Sequence, residues 1–180
     1  SHGMFQSVFG YPFLSSSANH IFDITAGYSS LSAMSGATNT QNAKKINIYN
    51  QMAQVLVGHD ATGSIKEFDR DGNFTDTDVK HREVLFVNFS RLLTKDEIKK
   101  QSFTLSFLTG GAVDARTAVT KTTLSDYGAA TTYKTNSPAG EYGILYTGSV
   151  NVGSVDNPGV GLVYYQAGVA VITASVFQRA

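Results

Sequence analysis

The sequence predicts a mainly β, α+β domain: an antiparallel, sandwich-like arrangement with one inserted amphipathic helix and one short helix. Three observations predict it. Short runs of β-branched and aromatic residues, roughly six to eight of them, recur between turn residues. Only Asn42 to Val57 sustains the three- and four-residue apolar spacing of a helical face. The last third is cut by Gly143, Gly161 and Gly168 into β-rich pieces that put tyrosines and β-branched residues on a pleated surface. With 180 residues and no shift in composition, residues 4–180 read as a single domain, and Ser1-His2-Gly3 before Met4 reads as an expression-tag remnant.

From the N-terminus, residues 4–18 form an aromatic arm (Phe5, Phe9, Tyr11, Phe13) of irregular shape, with Tyr11-Pro12 as an extended or turn dipeptide. A strand is predicted near His20 to Ile24. The main helix places Ile46, Tyr49, Met52, Ala53 and Leu56 on one face, takes Thr40 or Asn39 as its cap, and stops at Gly58. A polar stretch from His59 to His81 reads as loop with a short strand around Ile65 to Phe68. Val84 to Phe89 is an apolar run suited to a buried strand. Thr94-Lys-Asp-Glu97 has the spacing of a capping box, so the short helix is predicted to carry Ile98 through Lys100. Phe103, Leu105 and Phe107 alternate with polar residues and should face the core. Between Gly110 and Asn136, strands are predicted only around Ala118 to Leu124 and Thr131 to Lys134.

Composition removes several function classes. Fourteen basic residues balance fourteen acidic ones, so no net field draws the chain to nucleic acid or an anionic membrane, and neither partner is expected. The absence of cysteine excludes disulfides, a thiol nucleophile and Cys-based zinc sites. Hydrophobic residues make up 42% and charged residues 16%, so Ser, Thr, Asn, Gln and Gly must cover much of the surface, which suits packing against neighbours.

The motifs favour structural roles. Gly58-His-Asp-Ala-Thr-Gly63-Ser64 mimics the glycine spacing of a phosphate loop, but it lacks the lysine and follows a helix, so a helix-ending turn is expected. Asp69-Arg-Asp-Gly-Asn73, with Asp76 and Asp78, could gather oxygen ligands for calcium. Its glycine is misplaced for an EF-hand and Lys80 stands where the twelfth-position glutamate belongs, which favours a solvated turn. His20, His59 and His81 lack ligand spacing and read as surface or cap residues. There is no Gly-x-Ser-x-Gly elbow. Glu67, Glu83, Glu97 and Glu141, with ten aspartates, leave a glycosidase carboxylate pair open by count, as a third and enzymatic reading. Tyr142, Tyr146, Tyr164 and Tyr165 could stack on sugar rings, but alternation along strands puts two of the four in the core. No catalytic, cofactor-binding or metal-ligating residue is assigned, and no cofactor is expected.

Four segments carry a family resemblance: Asn42 to Gly58, Phe89 to Leu105, Asn136-Ser-Pro-Ala-Gly-Glu-Tyr-Gly-Ile-Leu-Tyr146, and Gly161-Leu-Val-Tyr-Tyr-Gln-Ala-Gly-Val-Ala-Val-Ile172. They cover about half of the chain and resemble virion structural proteins of contractile-tailed marine bacteriophages. The resemblance implies a non-enzymatic component of the tail, baseplate or neck, assembled in the bacterial host cytoplasm, with other virion proteins as partners and a homo-oligomeric state. It leaves open whether the chain is whole or an excised domain. The alternative is a carbohydrate- or receptor-binding module of a tail fibre, with exposed tyrosines and the Asp69 to Asp78 loop on a glycan. The aromatic residues of Met4 to Phe13 would be costly to leave exposed as one patch, so the arm is expected to pack on the domain's own sheet or on another subunit.

Overall fold

A computed structural model describes residues 5–9, 20–36, 39–76, 79–89, 97–109 and 120–178. Its strands are β1 (Gln6–Phe9), β2 (His20–Tyr28), β3 (Phe68–Asp69), β4 (Lys80–His81), β5 (Glu83–Asn88), β6 (Thr104–Thr109), β7 (Thr120–Ser125), β8 (Tyr142–Leu145), β9 (Gly161–Tyr164) and β10 (Val169–Thr173), with helices α1 (Thr40–Leu56) and α2 (Ala129–Thr132). Six strands form one sheet in the order β1-β2-β5-β10-β9-β8, and every pairing is antiparallel. Two ribbons, β3-β4 and β6-β7, complete a β-rich α+β fold.

Strand alternation sorts the sheet's side chains onto two covered faces. Val84, Phe86, Tyr142, Ile144, Leu162, Tyr164, Val169 and Val171 face α1, whose Tyr49, Ala53 and Leu56 are buried against them. Val87, Leu145, Val163, Ala170 and Ile172 face the other way, onto Phe103, Leu124 and Ala129 at the β6-β7 side. The strands β8, β9 and β10 are therefore buried at every position. This is why the closing segment, and Val84 to Val87 in β5, read as continuous apolar runs rather than as alternating ones, with the polar Asn88 exposed at the end of β5.

The helix matches its expected face. Asn39 caps it, accepting the Asn42 N–H at 2.8 Å, and Gly58 beyond it has φ 85°. Burying Tyr49 and Leu56 contributes about 2 kcal/mol each. The helix lies close on β2 because Gly27 has no side chain: a Cβ there would stand 3.0 Å from the Tyr49 nitrogen and 3.2 Å from the Lys45 carbonyl oxygen.

Several expectations are corrected. The strand near His20 to Ile24 runs on to Tyr28, and the arm contains strand β1 after Phe5, with Met4 and residues 10–18 lying outside the described residues. The strand near Ile65 reduces to an isolated bridge, His59 to Ile65, and the two-residue β3. Ile98 to Lys100 is not helical, and Thr94 to Asp96 lie outside the described residues. There the Ile98 N–H donates to the Tyr165 carbonyl at 3.0 Å and the Gln101 N–H to Asp126 at 2.7 Å, so tertiary partners take amides that a helix would use. The short helix is instead α2, which follows Gly128 at φ 78° and covers part of the strand expected over Thr131 to Lys134. Phe103 is buried, and Leu105 and Phe107 pack on the same core. The Ala118 to Leu124 strand appears as β7, Ala118 itself lying outside the described residues.

The two edges of the sheet differ. Beyond β8, Tyr142 bridges Lys134 and Tyr146 bridges Ser125, so that edge is occupied. Strand β1 pairs only with β2 among the described residues. Replacing Gly27 by Val should lower unfolding free energy by about 2–3 kcal/mol through overpacking, read as a lower denaturant midpoint, because the obstructing atoms are backbone.

Candidate functional site

The richest cluster of ionisable groups lies where the β3-β4 ribbon closes around the acidic loop. Asp69 and Lys80 are direct cross-strand partners, which puts both side chains on the same face of the ribbon. The Asp69 side chain is 0% exposed and that of Lys80 is 19% exposed, with the ammonium against Asp69 Oδ2. Asp69 Oδ1 accepts three backbone N–H groups, from Asp71 and Gly72 at 2.9 Å and from Asn73 at 3.3 Å. That turn forms because Gly72 adopts φ 76°, where a Cβ would also strike the Tyr142 hydroxyl at 2.6 Å.

The rest of the loop is tied down in the same way. Asn73 donates to Asp76 at 2.7 Å, and its own N–H reaches Asp71 at 2.8 Å. Asn136 donates to the Gly72 carbonyl at 2.9 Å and accepts the Tyr142 hydroxyl at 2.6 Å, which anchors the loop to β8. Carboxylate oxygens of Asp69, Asp71 and Asp76 lie within 4.8 Å of one another. The Lys80 ammonium stands at Asp69 and 3.8 Å from Asp76, so the chain supplies a cation of its own to this cluster. Burial pushes the Asp69 carboxyl up, but hydrogen bonds from Asp71, Lys80 and the backbone outweigh it and hold the group below its ordinary value. Asp71 moves up, chiefly through its side-chain hydrogen bond with Asp69 and then through burial.

Beneath the ribbon, the Tyr49 hydroxyl donates to the His81 carbonyl at 2.9 Å and accepts the Phe68 N–H at 3.2 Å, clamping both strands to α1. His81 is 4% exposed, which corrects its reading as a surface or cap residue. Burial lowers its pKa to about 4, against the pull of the Asp69 carboxylate, and its Nε2 has no partner. His59 is exposed and His20 is paired with Asp23 at 2.8 Å.

The structure brings the other sequence candidates to structural posts. In the Gly58 to Ser64 segment, Asp60 Oδ1 accepts the Thr62 and Ser64 N–H groups at 2.8 and 2.9 Å, making the expected turn. Tyr142, Tyr164 and Tyr165 are fully buried, one more than alternation suggested, so they offer no face to a sugar. The Tyr165 hydroxyl donates to Asp126 at 3.0 Å, and Asp126, buried and raised by desolvation, also accepts the Gln101 and Phe103 N–H groups. Glu141 meets Lys100 at 2.5 Å and Glu97 meets it at 3.4 Å. Glu83 accepts the Ser32 hydroxyl, and Glu67 that of Ser29. A cavity of about 200 Å³ is lined by Thr122, Thr147, Val160, Ser175 and Val176, with no titratable side chain.

The buried Lys80–Asp69 pair and His81 were missed because nothing in a polar stretch marks a two-residue ribbon. The available signal was an Asp at the head of an Asp-x-Asp-Gly turn, a residue suited to collecting the turn's amides. With the geometry established, the comparisons add no relative: the chain matches no protein-family model, no curated protein and no solved structure.

Replacing Asp69 by Ala leaves three loop amides and Lys80 without their acceptor, and should cost about 3 kcal/mol in chemical denaturation. His81 gives a pH signature. Its folded pKa of about 4 lies below the ordinary 6.5, so the unfolded chain binds more protons between those values. Stability should therefore fall by about 3 kcal/mol as pH drops through that window. A His81→Phe variant should show a correspondingly shallower loss in thermal melts at stepped pH.

Proposed function

We propose that this chain is a structural component of a bacteriophage particle, in the tail, baseplate or neck, that works through assembly interfaces and performs no catalysis. The observation that carries the reading is the outer edge of β1, which has no strand partner among the described residues. Soluble proteins usually guard a free strand edge with charge, proline or a covering segment. Phe5 and Gln6-Ser7-Val8-Phe9 carry no charge and no proline, and Phe5 and Phe9 are 64% and 55% exposed. Such an edge fits strand addition by another copy or by a neighbouring virion protein. The neutral, Ser/Thr-rich composition and the resemblance of four segments to virion structural proteins support the same setting.

The tail-fibre alternative draws less support. Its glycan platform was to come from tyrosines, three of which are buried, and its calcium-assisted contact from a loop that already holds the Lys80 ammonium. Deleting residues through Phe13 should reduce the oligomeric mass measured by light scattering. A truncated chain that folds stably and keeps the parent mass would sink the proposal.

A further inference from the structure

We propose that Lys80 and Asp69 condense into an intramolecular amide, Nζ to Cγ, which ties β3 to β4 covalently. This goes beyond the assembly reading and does not rest on it. The two groups are cross-strand neighbours in contact, on a carboxylate with no exposure and a lysine with little. Reacting atoms held in this way behave as if at very high concentration, which offsets the reluctance of a carboxylate to form an amide in water.

The two oxygens of Asp69 have different surroundings, and each suits one part of the reaction. Oδ1 faces the N–H groups of Asp71, Gly72 and Asn73. They form an oxyanion hole for the tetrahedral intermediate and continue to bond the same atom as the amide oxygen. Oδ2 faces Lys80, with carboxylates of Asp71 and Asp76 within 4.8 Å of Asp69. Asp76 stands 3.8 Å from Nζ, placed to take a proton from the ammonium.

The step balances without any further reagent. The ammonium gives up a proton, the free amine pair attacks Cγ, and the Nζ–Cγ bond forms as charge moves onto Oδ1. A second proton leaves nitrogen, both protons reach Oδ2 through the neighbouring carboxyl groups, the Cγ–Oδ2 bond breaks, and one water departs. The Lys100–Glu141 pair is an internal contrast. Its atoms are 2.5 Å apart and Lys100 is about as enclosed as Lys80, but the Glu141 side chain is 30% exposed and has no backbone N–H cradle among the described residues, so on this reading it stays an ion pair.

Intact-mass spectrometry of the folded full chain, followed by tryptic mapping, tests this. The expected mass is one water below that of the sequence. Cleavage after Lys80 should cease, and the segments Glu67–Arg70 and Asp71–Arg82 should travel as one branched peptide. A Lys80→Arg variant keeps the charge and should show the full mass. An unreduced mass in the folded parent protein overturns the proposal. So does a water loss that persists in Lys80→Arg or maps to Asp71-Gly72, since cyclisation at an Asp-Gly bond also sheds water.

Discussion

The constraint on which the rest depends is that the three strands at the β8 end of the large sheet have no solvent side. With α1 on one face and the β6-β7 side on the other, every residue of β8, β9 and β10 is enclosed. Apolar side chains fill most of those positions, and a tyrosine there or just beyond buries a hydroxyl that costs free energy unless it finds a partner. Tyr142 finds Asn136 and Tyr165 finds Asp126, while the Tyr164 hydroxyl has none. Polar chemistry is thus forced to the rims of the sheet, where short turns collect it.

Tyr49 shows how one side chain joins several layers. Its ring packs edge-on to Phe68 at 5.3 Å between centroids, and its hydroxyl spans the two strands of the β3-β4 ribbon. A two-residue ribbon has little stability of its own. Here it persists because the helix, the sheet and the acidic loop all bear on it, and the buried His81 and Asp69 are by-products of that crowding.

Legibility followed the length of the signal. The helix was readable to its cap because Ile46 through Leu56 repeat over about three turns, and Val84 to Val87 because a strand covered on both faces is apolar at successive positions. The order of strands was not readable, since β5 joins β2 and β10 through contacts distant in sequence. The capping-box spacing at Thr94 to Glu97 misled for a related reason: Tyr165 and Asp126 compete for the local amides, and no local pattern records them. At the acidic loop, the carboxylates were plain in the sequence, but the lysine among them was read only as a departure from a calcium motif.

The unequal edges of the large sheet set a limit on growth. A sheet open on both sides can recruit copies without end, as fibres do. Here, among the described residues, the β8 side is met by bridges to Lys134 and Ser125, whereas β1 has a neighbour only in β2. On the proposed assembly reading, two such sheets meeting at their β1 edges would exhaust each other and stop. On that reading the geometry of one strand edge would convert a sticky surface into a countable one, with the stoichiometry set by the fold rather than by a terminator.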